Sequence, residues 1–234
     1  MYVPAHFAAG DLDEIAAFVD RAGSADLVTY DGAGLTATLL PVLWDRPAGG
    51  DGKNGDGEHG KHGAGQNHGR LLGHLARSNP QWETAAAGVP ALAIVRGPQA
   101  YVSPSWYAST AEHGRTVPTW NYTTVHLSGP VTFHRDEEWL RDIVTRLTER
   151  YEAGREPRWR VTDAPAKFIA GQLRAIVGVE MTVQRVEAKD KLSQNRTAQD
   201  RANVIAALQT GPDPQGREIA SLMAAREQVA VRES

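Results

Sequence analysis

Cysteine is missing from all 234 residues, so the chain forms no disulfide, no thiolate metal site and no iron–sulfur centre, and it carries no thiol nucleophile. Long apolar runs are missing too. The most apolar stretch, residues 85–95, is broken by Gly88 and Pro90 and falls well short of the about 20 residues a membrane-spanning helix needs. The first residues, MYVPAHFAAGDLDEIAAF, lack the basic and apolar regions of a secretory leader, so the expectation is a soluble, cytoplasmic protein with no membrane partner. Neither sign of charge dominates: 25 Lys and Arg stand against 28 Asp and Glu, for a net charge of −3. That balance excludes a surface uniformly coated in positive charge for nucleic acid. Reaction signatures are also lacking. There is no Gly-x-Ser-x-Gly, phosphate-binding Walker loop, Gly-x-Gly-x-x-Gly before a helix, or His-Glu-x-x-His, so no catalytic residue is assigned.

What is abundant is glycine, and it is concentrated. Residues 48–69 hold 9 of the 23 glycines and 3 of the 8 histidines, which leaves an ordinary globular composition elsewhere. His59, His62 and His68 could ligate a transition metal, but so much glycine opposes the fixed geometry a metal site requires. The segment reads as a flexible Gly/His-rich hairpin insert, with no metal expected.

Around it, regular elements follow from periodicity. Asp11, with Glu14 three residues on, caps a helix over 11–22 whose apolar positions are Ile15, Phe18, Val19 and Ala22. Two β-type runs, 25–30 and 35–43, flank Asp31-Gly32-Ala33-Gly34, a hairpin connector. Further strands are expected at 70–75, at 91–96 and 100–103 around Gly97-Pro98, at 117–128, and at 179–183. Helices are expected at 79–87, at 136–151, at 165–176 with Asp163 as cap, at 197–209 and at 216–228. Short turns between strands favour antiparallel pairing, and a small barrel closes the edges economically. The fold class is therefore α+β, with a barrel domain over 1–209 and a helical tail over 210–234.

Three segments could carry chemistry. In Leu71-Leu-Gly-His74-Leu-Ala-Arg77-Ser78-Asn79-Pro-Gln-Trp82 a strand opens into a turn with donors suited to a phosphate. The same pattern serves equally as a capped strand-to-helix turn. Aromatic residues are only 7% of the chain, yet Trp106, Tyr107, Trp120 and Tyr122 lie within 17 residues. With Asn121 among them they suit a flat, partly polar ligand, or a core and barrel rim. Lys189-Asp-Lys-Leu-Ser-Gln-Asn-Arg196 is a polar cluster for which a solvated strand exit is the plainer account.

Taken together and in order, Met-Tyr-Val-Pro (1–4), Gly-His-Leu-Ala-Arg-Ser-Asn-Pro-Gln-Trp (73–82), Gly-Pro-Gln-Ala-Tyr-Val-Ser-Pro-Ser-Trp-Tyr (97–107), Val-Pro-Thr-Trp-Asn-Tyr (117–122) and Lys-Leu-Ser-Gln-Asn-Arg (191–196) resemble the PaiB family of FMN-binding negative transcriptional regulators. The likeness covers about residues 1–209; the insert and the tail depart from it. It implies an antiparallel split β-barrel of the pyridoxamine-phosphate oxidase type, with flanking helices, working as a homodimer with FMN between subunits. Some relatives of that fold bind haem, or no cofactor. By the same resemblance His74, Arg77, Ser78 and Asn79 match the phosphate-facing segment, and Trp120 and Asn121 stand near the ring or the dimer seam. Thr36 and Thr38 are candidates for the ribityl chain or ring edge. Lys191, Ser193, Gln194 and Asn195 match a family signature without an assigned role. The functional expectation is an FMN-binding regulator whose effect on DNA is indirect or partner-dependent, because clustered basic residues are lacking. An FMN-dependent oxidoreductase on a small molecule and a cofactor-free dimeric module are the alternatives.

Overall fold

A computed structural model of the chain describes residues 1–47, 61–62 and 67–233. Sixteen elements follow one another, with 3-10 turns between some of them. They are α1 (Leu12–Ala22), β1 (Ser24–Tyr30), β2 (Leu35–Asp45), β3 (Lys61–His62), β4 (Arg70–Ala76), α2 (Gln81–Thr84), β5 (Ala91–Val102), α3 (Ala108–His113), β6 (Thr119–Gly129), β7 (Val131–His134), α4 (Glu137–Glu152), α5 (Ala166–Arg174), β8 (Ile176–Thr182), β9 (Arg185–Lys191), α6 (Ala198–Thr210) and α7 (Pro214–Glu233). The expected α+β class and antiparallel split barrel are both present.

Every ladder is antiparallel, in the order β3-β9-β6-β5-β1-β2-β4-β8-β7. Two interruptions close it. Only Pro130 separates β6 from β7, and only Val183 and Gln184 separate β8 from β9. The pairing crosses both gaps, because Gln184 N–H donates to Ser128 O at 2.9 Å and Thr182 N–H to Pro130 O at 3.0 Å. Two long bent strands therefore run side by side. One half of the pair continues to β5 and the other half to β4, so the sheet curls round into a six-stranded barrel.

The barrel is filled by alternate residues, as the two-residue period of strands demands. Ala25, Leu27, Leu40, Val42, Leu71, Leu75, Ala93, Val95, Val125, Leu127, Val177, Val179 and Met181 form one buried cluster. Ile15, Ala16 and Val19 of α1 belong to it and close the end where β1 begins. Outside, α4 sets Ile143 and Leu147 against Leu43 and Leu72, while α5 adds Ile169 and Leu173 beneath Leu140. A second core forms where β5 and β6 run on past the barrel. There Ala100, Val102, Tyr107 and Leu192 pack against Val204, Leu208, Ile219, Ala220 and Met223 of α6 and α7.

Four sequence expectations are corrected. The two runs around Gly97-Pro98 are one strand, β5, with a bulge between Arg96 and Gln99 that absorbs the proline. The helix expected at 79–87 shrinks to Gln81–Thr84, since residues 85–90 lead into β5. Asp163 lies in a 3-10 turn and accepts the Arg160 N–H, whereas α5 starts after Pro165 without a side-chain cap. The polar cluster expected as a strand exit at 189–196 begins inside β9, and β7 carried no expectation, because short bent strands leave little periodic signal. Of the insert histidines, His59 lies outside the described residues and His62 contributes backbone pairing in β3. His68 is buried, its carbonyl accepting the Trp44 indole N–H at 2.9 Å.

Closure puts Gly129 hard against the other bent strand: a Cβ there would stand 1.8 Å from Thr182 O. Gly129→Ala should destabilise the protein by about 3 kcal/mol, toward the upper end for overpacking because backbone must shift. A denaturation midpoint unchanged from the parent would show that the kink is not needed.

Candidate functional site

Strand direction decides which of the candidate residues can meet. β4 and β6 both run parallel to β1, since each is reached from it through two antiparallel steps. The exit of β4 and the entry of β6 are therefore at opposite ends of the barrel. Thr36 and Thr38, at the start of β2, share the first end with His74, Arg77, Ser78 and Asn79. Trp120 and Asn121 lie at the other end.

At the first end the segments interlock. The Asn79 amide donates to Thr38 Oγ1 at 2.8 Å and its Oδ1 accepts the Gln81 N–H at 3.0 Å. Gln81, fully buried, donates through Nε2 to Leu27 O, Thr29 Oγ1 and Thr36 O. This one side chain ties the turn to both strands of the first hairpin. Its Oε1 and His74 Nδ1 are buried without a hydrogen-bond partner among the described residues. Burial holds the His74 imidazole below the usual histidine range, so it is neutral at pH 7. Sequence reasoning passed over Gln81, because a glutamine inside a short helix carries no outward signal of burial.

Around the turn, charge is left over. Arg77 donates one guanidinium N–H to Arg174 O at 3.2 Å and its backbone N–H to Ala175 O, while its carbonyl accepts the Trp82 indole N–H. Arg135 stands 5.6 Å from the centre of the Trp82 ring. Among the described residues none of Arg77, Arg135 and Arg174 forms an ion pair. Ser78 is exposed beside them. Cations without carboxylate partners, next to hydroxyl and amide donors, are the donor set a phosphate dianion requires. The residues present therefore fit the phosphate of FMN, and the orphaned Gln81 and His74 atoms leave polar capacity beside it.

At the far end Asn121 is fully buried, bonded through its amide to Ser193 Oγ at 3.0 Å and Met223 Sδ at 3.4 Å. Trp120 is half exposed and meets Tyr101 edge-on at 6.4 Å between ring centres. Their register explains this: β6 passes out of the barrel here, so one face of the strand meets α7 and the other meets solvent.

One more surface bears on assembly. On the outside of β2, β1 and β5, Leu35, Ala37, Leu39 and Pro41 are exposed, next to half-buried Val28, Leu92 and Ile94. Leu35 and Leu39 are 76% and 66% exposed, in a molecule that buries the apolar outer residues of β4 under α4. Such a contiguous apolar strip is uncommon on a free surface. Among the described residues no helix is long and apolar enough to cross a membrane.

Comparison with known proteins agrees with this architecture. The model of the family described as "Putative FMN-binding domain" matches residues 1–185. The chain is 34% identical over 223 residues to a Bacillus subtilis protein named "Protease synthase and sporulation protein PAI 2", covering 95% of this chain and 96% of that one. It is 26% identical to an uncharacterized Emericella nidulans protein over 82% of each. Among solved structures, the flavocytochrome Anf3 from Azotobacter vinelandii matches with a TM-score of 0.52 at 16% identity, over 84% of this chain and 75% of that one. The FAD and heme binding protein from Mycobacterium smegmatis matches with a TM-score of 0.53 at 14% identity, over 83% and 78%. At such identities the two structures speak for the fold alone. The family match across three quarters of the chain, and the identity to PAI 2 over nearly its whole length, establish that this chain belongs to the PaiB family of FMN-binding-domain proteins.

Proposed function

We propose that the chain binds FMN at the exit of β4 and works as a homodimer whose regulatory effect runs through partners rather than through direct contact with DNA. The observation that carries the flavin assignment is the turn at 74–79, where Arg77, without an ion pair among the described residues, follows the strand beside Asn79 and Thr38. Arg77 and Ser78 hold the phosphate. Asn79 and Thr38, fixed by Gln81, present a pre-ordered edge to the ribityl chain, with Thr36 beside them, and His74 adds an uncharged donor or acceptor. When bound, the flavin supplies reversible electron transfer; the protein supplies binding, orientation and hydrogen bonds. Trp120 and Asn121 lie too far round the barrel to join this site within one chain. Asn121, buried and bonded to Ser193 and Met223, offers no free atom to a flavin held by either copy.

The second copy is supported by the apolar strip on β2, β1 and β5, which a like surface covers in a two-fold pair. Covering it removes Leu35 and Leu39 from water, each worth about 1.5–3 kcal/mol when fully buried. The regulatory part rests on the family resemblance and on the name of the Bacillus subtilis relative, which associates it with protease synthesis and sporulation.

Three outcomes test these assignments. Arg77→Ala should weaken FMN binding about 10- to 150-fold, the equivalent of one charge-assisted contact at roughly 1.5–3 kcal/mol, measured by flavin fluorescence titration. An affinity equal to the parent's would show the phosphate to be elsewhere. Leu39→Glu, at a position outside both cores, should halve the native mass in sedimentation while leaving the circular dichroism unchanged; a variant that stays at the parent's mass argues for another interface. A gel-shift assay at physiological salt should find no tight, sequence-specific DNA complex with the purified protein. Finding one would replace partner-dependent action with direct binding.

A further inference from the structure

The signature at 191–196, left without a role above, gathers charge in an unusual way. Lys189 and Arg196 both act on the Lys191 ammonium at the end of β9, in a chain whose net charge is −3. Every nearby carboxylate is already engaged: Glu187 with Arg185 at 2.6 Å, Asp190 with Arg226 at 2.6 Å, and Glu227 with Arg201 at 2.9 Å. Lys189 is 8% exposed and is satisfied without an acid, its ammonium donating to Tyr2 O and lying 5.4–5.8 Å from the ring centres of Tyr2, Phe7 and Tyr122. Lys191 donates to Thr119 Oγ1 and Trp120 O. Burial, then Lys189 and Arg196, hold its ammonium below the usual lysine range. Arg196 lies over the Tyr107 ring, 4.5 Å from guanidinium to ring centre, and forms no ion pair among the described residues. The Tyr107 hydroxyl is buried with no hydrogen-bond partner among the described residues.

The turn carrying Arg196 is fixed rather than loose. Ser193 adopts φ 64°, a left-handed conformation unusual for a side-chain-bearing residue, and its hydroxyl is locked to buried Asn121. Gln194 accepts the Leu192 N–H and donates to Asp190 O, while Arg196 N–H donates to Ser193 O. Arg201 then holds the Arg196 carbonyl at 2.6 Å. Strained, fully braced backbone presenting an unpaired cation is what pre-organised binding requires. Tyr122 pairs with Lys191 across the ladder and Tyr101 pairs with Trp120. The half-exposed Trp120 and Tyr101 rings therefore share the outer face with Lys191.

We propose that Lys191 and Arg196, flanked by exposed Trp120 and Tyr101, form a second binding site that takes a small planar aromatic molecule bearing a phosphate or carboxylate. The anion neutralises the two cations, and the ring lies against the indole. This site stands on its own observations and is at the opposite end of the barrel from the FMN turn of the same chain.

The test uses the full-length protein and three probes: phenyl phosphate, benzoate and inorganic phosphate, followed by calorimetry and by tryptophan fluorescence. Phenyl phosphate or benzoate should bind more tightly than inorganic phosphate and quench the indole emission; which of the two binds better identifies the anion. Arg196→Gln and Trp120→Ala should each weaken that binding about tenfold or more, while Arg196→Lys, which keeps the charge, retains most of it. FMN affinity should be unchanged in Arg196→Gln and reduced in Arg77→Ala. Failure of both aromatic anions to bind below about 10 mM, or affinities equal in parent and variants, would overturn the site. Loss of FMN affinity in Arg196→Gln with none in Arg77→Ala would overturn both assignments, placing the flavin here. Unchanged FMN affinity in both variants, with aromatic-anion binding lost in Arg196→Gln, would overturn only the flavin turn.

Discussion

The paired bend at Pro130 and at Val183-Gln184 is the constraint on which the molecule depends. Because both long strands bend at the same level, their mutual ladder continues across the break while the outer neighbour is β5 on one side of it and β4 on the other. A straight pair would leave β4 and β5 as open edges of a flat sheet. The bend also needs a position with no side chain, and Gly129 provides it against Thr182 O. Closure in turn fixes which residues face inward, and hence the single dry core of Val, Leu, Ala and Met that α1 seals.

From closure follows the division of labour on the outside. One part of the outer surface is covered by α4 and α5, and the far extension of β5 and β6 is covered by α6 and α7. The N-terminal residues lie over β9, where Ala8 pairs with Lys189. What is left uncovered is the apolar strip of β2, β1 and β5. The two polar clusters that could take an anion lie at the barrel's ends, where strands give way to turns. Each end collects arginines or lysines that have no carboxylate partner, and each braces them from behind: Gln81 at one end, Ser193 with Asn121 at the other. A net negative chain can thus keep two local sites for anions, since net charge says nothing about where the charges stand.

The sequence made much of this legible. Hairpin chemistry at Asp31–Gly34, the amphipathic helices at 11–22 and 136–151, and the antiparallel barrel class all follow from local pattern, because turn residues and apolar periods act over a few positions. The turn at 74–79 was visible as a cluster of donors, but the grip that makes it rigid was not. Gln81 bonds to Leu27, Thr29 and Thr36, partners about 45–54 residues away, and no local pattern encodes such a contact. β7 and β9 escaped notice for a related reason, since short strands on either side of a bend gain their identity from pairing.

The missing cysteines, the balanced charge and the ordered motifs determined by themselves that this is a disulfide-free antiparallel barrel of the PaiB family. The Gly/His-rich segment at 48–69, so prominent in composition, proved less informative than the quieter turns on either side of the fold. Only the tertiary structure decided that Thr36, Thr38 and the 74–79 turn share one end while Trp120, Asn121 and the 191–196 signature share the other. The reason is geometric: strand direction and register depend on which strands become neighbours, and in a closed barrel that is set by all the ladders together.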